Sequence, residues 1–142
     1  MPPIATRPAT ISELAAAAAS SPAPPGRDLK YYIRLAETHR KTASAYLARA
    51  KQRTDGPDGV GLDMERAFIE FARAATLIVE TIPMHREYAG TLNAEQKVNL
   101  TQNGQDLLQN LGELKSGLVD RYEYYAKSPQ ASADAIPVFK AA

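Results

Sequence analysis

The chain has 142 residues, 23% of them charged, with a net charge of +1 and no cysteine. That is one domain's length. It excludes disulfides and thiolate zinc sites, and it argues against a strongly basic nucleic-acid binder. No apolar run approaches the roughly 18 residues that span a bilayer, and the Ala-rich opening lacks the Leu-rich centre of a signal peptide. The expected class is intracellular and soluble.

Residues 1–9 are Pro-rich and read as a disordered tail. Thr10 or Ser12 can cap a short helix running to Ala19, with Glu13 in its first turn. "SSPAPPGRD" then interrupts the chain with three prolines and a glycine. Asp28 is a natural N-cap for a helix over residues 28–52. Leu29, Tyr32, Ile33, Ala36, Ala43, Tyr46, Leu47 and Ala50 follow the helical period there. His39 falls on the same stripe and reads as a helix-packing residue.

"TDGPDGVG", residues 54–61, reads as a loop, and Asp63 as the cap of a helix over 64–82. The register of a calcium-binding loop is absent from it. In the helix, Phe68, Phe71, Ala72, Ala75, Ile78, Val79 and Ile82 make a one-face stripe. Arg66, Glu70, Arg73 and Glu80 cover the opposite side, with Leu77 among them. Pro83 ends or kinks that helix, and "PMHREYAG" can start a short turn that holds His85. Asn93 caps a last helix, 94–127, with a stripe of Leu100, Leu107, Leu111, Leu114, Leu118, Tyr122 and Tyr125. Residues 128–142 read as a flexible tail. The expected fold is all-α: an antiparallel three-helix bundle with a short extra N-terminal helix and a long C-terminal helix.

The sequence offers little chemistry. His39 and His85 have no ligand-spaced partners, and no nucleophile elbow, phosphate loop or dinucleotide fingerprint is present. One charge pattern stands out. Asp106, Glu113, Asp120 and Glu123 recur at near-heptad spacing beside the leucine stripe. They read either as a solvated face or as the wall of a groove that holds a basic amphipathic helix. Leu77, on the polar side of its own helix, is a candidate apolar contact for that ligand. The length and aromatic end of the last helix, at Tyr122 and Tyr125, offer a self-association surface instead.

"MERAFIEFARAATLIVETIPMHREY", residues 64–88, resembles the helix and exit turn of the N-terminal domain of AMSH-type, STAM-binding-protein-like deubiquitinases. The likeness lies in Glu65, Ala67 and Phe68, then Ile82, Pro83, His85 and Tyr88. "ISELAAAA" and "DLKYYIRLAETHRKTASAYL" resemble that domain's first two helices, through Tyr32, Arg34, Ala36 and Ala43. "LKSGLVDRYEYY" resembles its final segment, through Leu114, Lys115, Leu118, Arg121 and Tyr122.

The resemblance implies an MIT-like module, also called the ubiquitin-specific-protease dimerisation domain, over residues 10–127. It further implies a non-catalytic adaptor, without a cofactor of its own, that recruits a ubiquitin-cleaving zinc protease to ESCRT-III C-terminal tails. Such a domain is cytoplasmic, is recruited to endosomes, meets the membrane only through partners, and in some members pairs with itself. The JAMM zinc signature and the STAM-binding proline motif of the complete enzymes are absent, and the loop at 54–61 is longer than the family's tight turn. The expectation is therefore either a piece of a longer enzyme or a stand-alone regulator.

Overall fold

The computed structural model describes residues 6–128, and these form helices and no strand. The helices are α1 (Ile11–Ala19), α2 (Leu29–Gln52), α3 (Pro57–Thr76), α4 (Tyr88–Thr91) and α5 (Ala94–Ala126). A π-helical turn, Leu77–Thr81, continues α3.

Local chemistry sets the helix ends. Thr10 and Glu13 form a capping box at α1, and Asn93 and Gln96 form another at α5. The Asp28 carboxylate accepts the Tyr31 N–H at the start of α2. The connection between α1 and α2 is pinned by Tyr32, whose hydroxyl donates to the Pro24 carbonyl at 2.7 Å and accepts the Arg27 N–H at 3.3 Å.

α3 lies at the centre. α2 runs antiparallel to it, as shown by Arg53 meeting Asp63 and His39 meeting Glu70. α5 is also antiparallel to α3, with Gly104 against Ile78 and Gly61 against Arg121. α1 lies along α3 in the same direction, with Ala9 at Glu65 and Arg73 at the Ala17 carbonyl. α2 and α5 flank α3 and hardly touch each other. The core is therefore built around Ala67, Phe68, Phe71, Ala74 and Ile78 of the central segment, with Leu29, Leu107 and Leu118 closing on it from both sides.

The structure corrects the sequence reading at three places. First, residues 57–61 are helical. Gly56 supplies the N-cap at φ +115°, a conformation that an L side chain rarely adopts, and Pro57 fits the first helical position. Asp63 is therefore no cap. It is fully buried, and its Oδ2 receives Arg53 Nη1 at 2.9 Å and faces Arg49 Nε at 3.6 Å.

Second, the stripe of α3 slips at its end. Leu77 is 4% exposed and Val79 47%, the reverse of the 3.6-residue pattern. The Ile82 N–H donates to the Leu77 carbonyl, five residues back, at 2.8 Å. One extra residue in the turn rotates everything after it. Pro83 has no N–H to offer the Val79 carbonyl, so the final turn can widen without losing a bond. The widened turn carries Val79 outward, whereas Leu77, whose N–H still bonds the Arg73 carbonyl ahead of the turn, is buried under α1 and the 20–28 connection.

Third, the ordered chain reaches back into the expected tail. Pro8 is fully buried, the Thr6 N–H donates to Asp58, and the Ala9 N–H donates to Glu65. The rest of the two expected tails, residues 1–5 and 129–142, lies outside the described residues.

Candidate functional site

The gap between α2 and α5 is an open groove of about 440 Å³. Phe71 of α3 and Leu107 of α5 form its floor; both are almost completely buried. Glu37 and Arg40 stand on the α2 wall, and Asn103, Asp106 and Asn110 on the α5 wall. The lining is mainly polar, with only a narrow strip of Phe71 and Leu107 reaching the floor.

The rim is not uniformly charged. Both Glu37 oxygens are engaged by the Arg40 guanidinium, including an Nε–Oε2 bond of 2.9 Å. That bond holds the Glu37 carboxyl below its ordinary range, and it raises Arg40. The pair is internally neutralised. The negative charge open to a ligand therefore sits on α5.

There Asp106 is exposed and accepts only a Gln102 amide at 3.1 Å among the described residues. Glu113 and Asp120 are also exposed and lie on nearly the same line, about 10 Å apart along the axis. Glu123 is exposed as well, but three residues beyond Asp120 it turns about 60° away from that line. Asp106, Glu113 and Asp120 thus share one line along α5, with Glu123 beside it, and of these only Asp106 lines the groove.

Leu77 is not part of this rim. It faces the opposite side of α2, where a second groove of about 800 Å³ runs between α1, the 20–28 connection, α2 and the end of α3. Ala15, Ala18 and Ala19 make one wall of that groove, and Tyr31 and Leu35 the other, with Leu77 between them. The expectation of an exposed Leu77 joining an acidic stripe fails because α1 and the 20–28 connection cover that side of α3. His39, expected to pack between helices, does so at the edge of this groove: its Nδ1 lies 2.5 Å from Glu70 Oε2, and Glu70 also holds Arg73 at 3.1 Å.

The two aromatic candidates separate too. Tyr125 is 3% exposed, so its side chain is covered within its own chain. Tyr122 is partly exposed, and the Arg7 guanidinium lies 5.7 Å from its ring centroid. His85 is not a loose turn residue. Its Nδ1 accepts the Glu87 N–H at 3.0 Å, so the proton sits on Nε2, which donates to the Arg27 carbonyl at 2.9 Å.

Sequence reasoning missed Phe71 and Leu107 as a groove floor. Both lie on core stripes, and nothing in the periodicity says that the neighbouring helix stands back from them. The Glu37–Arg40 pair has a readable signal, opposite charges three residues apart on a helix.

No helix among the described residues is long and apolar enough to cross a membrane, and no group of three or more His, Asp or Glu there could hold a metal ion. Comparison with protein-family models, with curated proteins and with solved structures gives no match.

Proposed function

We propose that this chain is a non-catalytic helical adaptor that captures a basic amphipathic helix in the groove between α2 and α5. The observation that carries the reading is the open gap over Phe71 and Leu107, with Asp106 at its edge and Glu113 and Asp120 continuing the same line of α5 beyond it. The resemblance of residues 64–88 to AMSH-type deubiquitinases suggests the partner: the C-terminal helix of an ESCRT-III subunit. On this reading the domain is MIT-like, and it brings a ubiquitin-chain-cleaving zinc protease, in the same or another chain, to endosomes. Self-association, the other reading, has less support, because Tyr125 is covered and Tyr122 already carries Arg7.

The test is a fluorescence-anisotropy titration of labelled C-terminal helices from a full ESCRT-III set, at two salt concentrations. A micromolar complex, about −8 kcal/mol, is expected for one or two peptides. Glu113→Lys with Asp120→Lys replaces two attractions by two repulsions at exposed positions. The cost is about 2 kcal/mol, or roughly 30-fold, with helicity unchanged. Equal binding by the double variant would remove the acidic rim from the site.

A further inference from the structure

The end of the bundle opposite the α2–α3 connection carries a second charge pattern, of the other sign. A hollow of about 420 Å³ is lined by Gly26, Arg27, Asp28, Lys30, Tyr31 and Arg34. Gly26 turns the chain at φ +74°, and this swings Arg27 to the mouth of α2. The Arg27 guanidinium lies over the Tyr31 ring, 5.0 Å from its centroid. Arg27, Lys30 and Arg34 are all exposed, and none has an acidic partner among the described residues.

The adjoining turn, residues 82–87, is fastened to the same place. His85 donates to the Arg27 carbonyl, and Glu87 accepts the Leu29 N–H at 2.8 Å. Just before these anchors Met84 projects with 85% of its surface exposed, the most exposed large apolar side chain among the described residues. Arg86, two residues on, is exposed and has no acidic partner there either.

This end thus carries four exposed cations and one protruding thioether. Two acids share the region, Asp28 and Glu87, and each is bonded to a backbone N–H at the start of α2. A third acid, exposed Glu80, lines the neighbouring groove beside Tyr31, so the four positive charges exceed the three negative by one. The amino end of α2 adds its partial positive charge.

We propose that this end docks on an anionic phospholipid surface. Lipid phosphates sit against Arg27, Lys30 and Arg34, and Met84 enters the boundary between headgroups and acyl chains. A rigid turn with an apolar tip and a cationic collar suits a flat interface that is anionic outside and apolar beneath. An acidic peptide would use the cations but would give a lone exposed methionine nothing to enter. The proposal is independent of the α2–α5 groove, and it adds a direct membrane contact to an adaptor otherwise expected to meet the membrane through partners.

The experiment is co-sedimentation of the full chain with vesicles of phosphatidylcholine alone and of phosphatidylcholine with phosphatidylserine, at low and physiological salt. Binding to the anionic vesicles only, lost at higher salt, is expected. Lys30→Glu with Arg34→Glu should weaken it about tenfold or more. Acids near the amino end of α2 favour that helix, so this variant should fold. Met84→Ser should weaken it several-fold at unchanged charge. Lys115→Glu with Lys127→Glu, the same charge change elsewhere, should leave binding within about twofold. Equal sedimentation with both vesicle types, or an equal loss with both double variants, overturns the proposal. So does an unaltered Met84→Ser variant, or saturable binding of inorganic phosphate without vesicle binding.

Discussion

The π-helical turn makes a claim about two neighbouring side chains that a pair of truncations can test. Leu77 is 4% exposed and Val79 is 47% exposed. A regular helix through residue 82 would bury Val79, and a Leu77 left uncovered by α1 would face solvent. Truncating a buried leucine to alanine costs about 2–5 kcal/mol, depending on how the site collapses. Leu77 borders an open groove, where solvent and the alanine wall can fill in, so the cost of Leu77→Ala falls near the lower end, about 2–3 kcal/mol. Val79→Ala removes two carbons, worth about 1.6 kcal/mol if wholly buried. With nearly half of the residue in water, about 0.8 kcal/mol remains. The two variants should therefore differ by about 1–2 kcal/mol in urea unfolding followed by far-ultraviolet circular dichroism, with parallel slopes. Equal costs, or a larger cost at Val79, would mean that Val79 is turned inward by an ordinary α-helix or that α1 does not cover Leu77.

Two glycine substitutions should have opposite signs. Gly112 faces open space on α5, so Gly112→Ala should stabilise by up to about 1 kcal/mol. A Cβ at Gly61 would sit 1.9 Å from the Arg121 guanidinium carbon and displace that group from Glu65, Asp58 and the Pro57 carbonyl. The lost partly buried contacts should outweigh the helix-propensity gain and leave Gly61→Ala about 1–2 kcal/mol less stable; urea midpoints decide both cases. Acid should expose another pair. Arg53, bonded to Asp55 at 2.8 Å and 3.0 Å, lowers that carboxyl from 3.8 to about 2. A depressed folded pKa gives stability that is present above about pH 4 and lost as the pH falls toward about 2. The stability gap between the native chain and Asp55→Asn should be open at neutral pH and closed near pH 2. A gap that persists there would show that the Arg53 bond does not act through the charge of Asp55.

What the sequence discloses is local. Capping residues and the 3.6-residue period locate α1, α2 and α5, because each signal lies within a few residues of the element it controls. The start of α3 is hidden, since Gly59 and Gly61 read as loop formers. Their absent side chains instead leave room for Arg53 and Arg121, which come from other helices. The π turn is hidden because Leu77 and Val79 are both apolar, and only the neighbours that receive them decide which turns inward. The acidic rim is visible as spacing on one helix. Its floor is not, because Phe71 and Leu107 become a groove only through the distance that α2 keeps from α5.

The shared anchoring at Glu65 also has a consequence for the order of assembly. Its carboxylate accepts the Ala9 N–H and faces Arg121, contacts that each span 56 residues of chain. Arg53 and Asp63, which fasten α2 to α3, are only 10 residues apart. Closing the short α2–α3 hairpin sacrifices far less chain entropy, so it should form first and template the rest. α1 and α5 then arrive from opposite ends of the sequence onto one carboxylate. Substitutions at Glu65 or Arg121 should accordingly hasten unfolding while leaving the folding rate nearly unchanged, whereas those between α2 and α3 should slow folding itself.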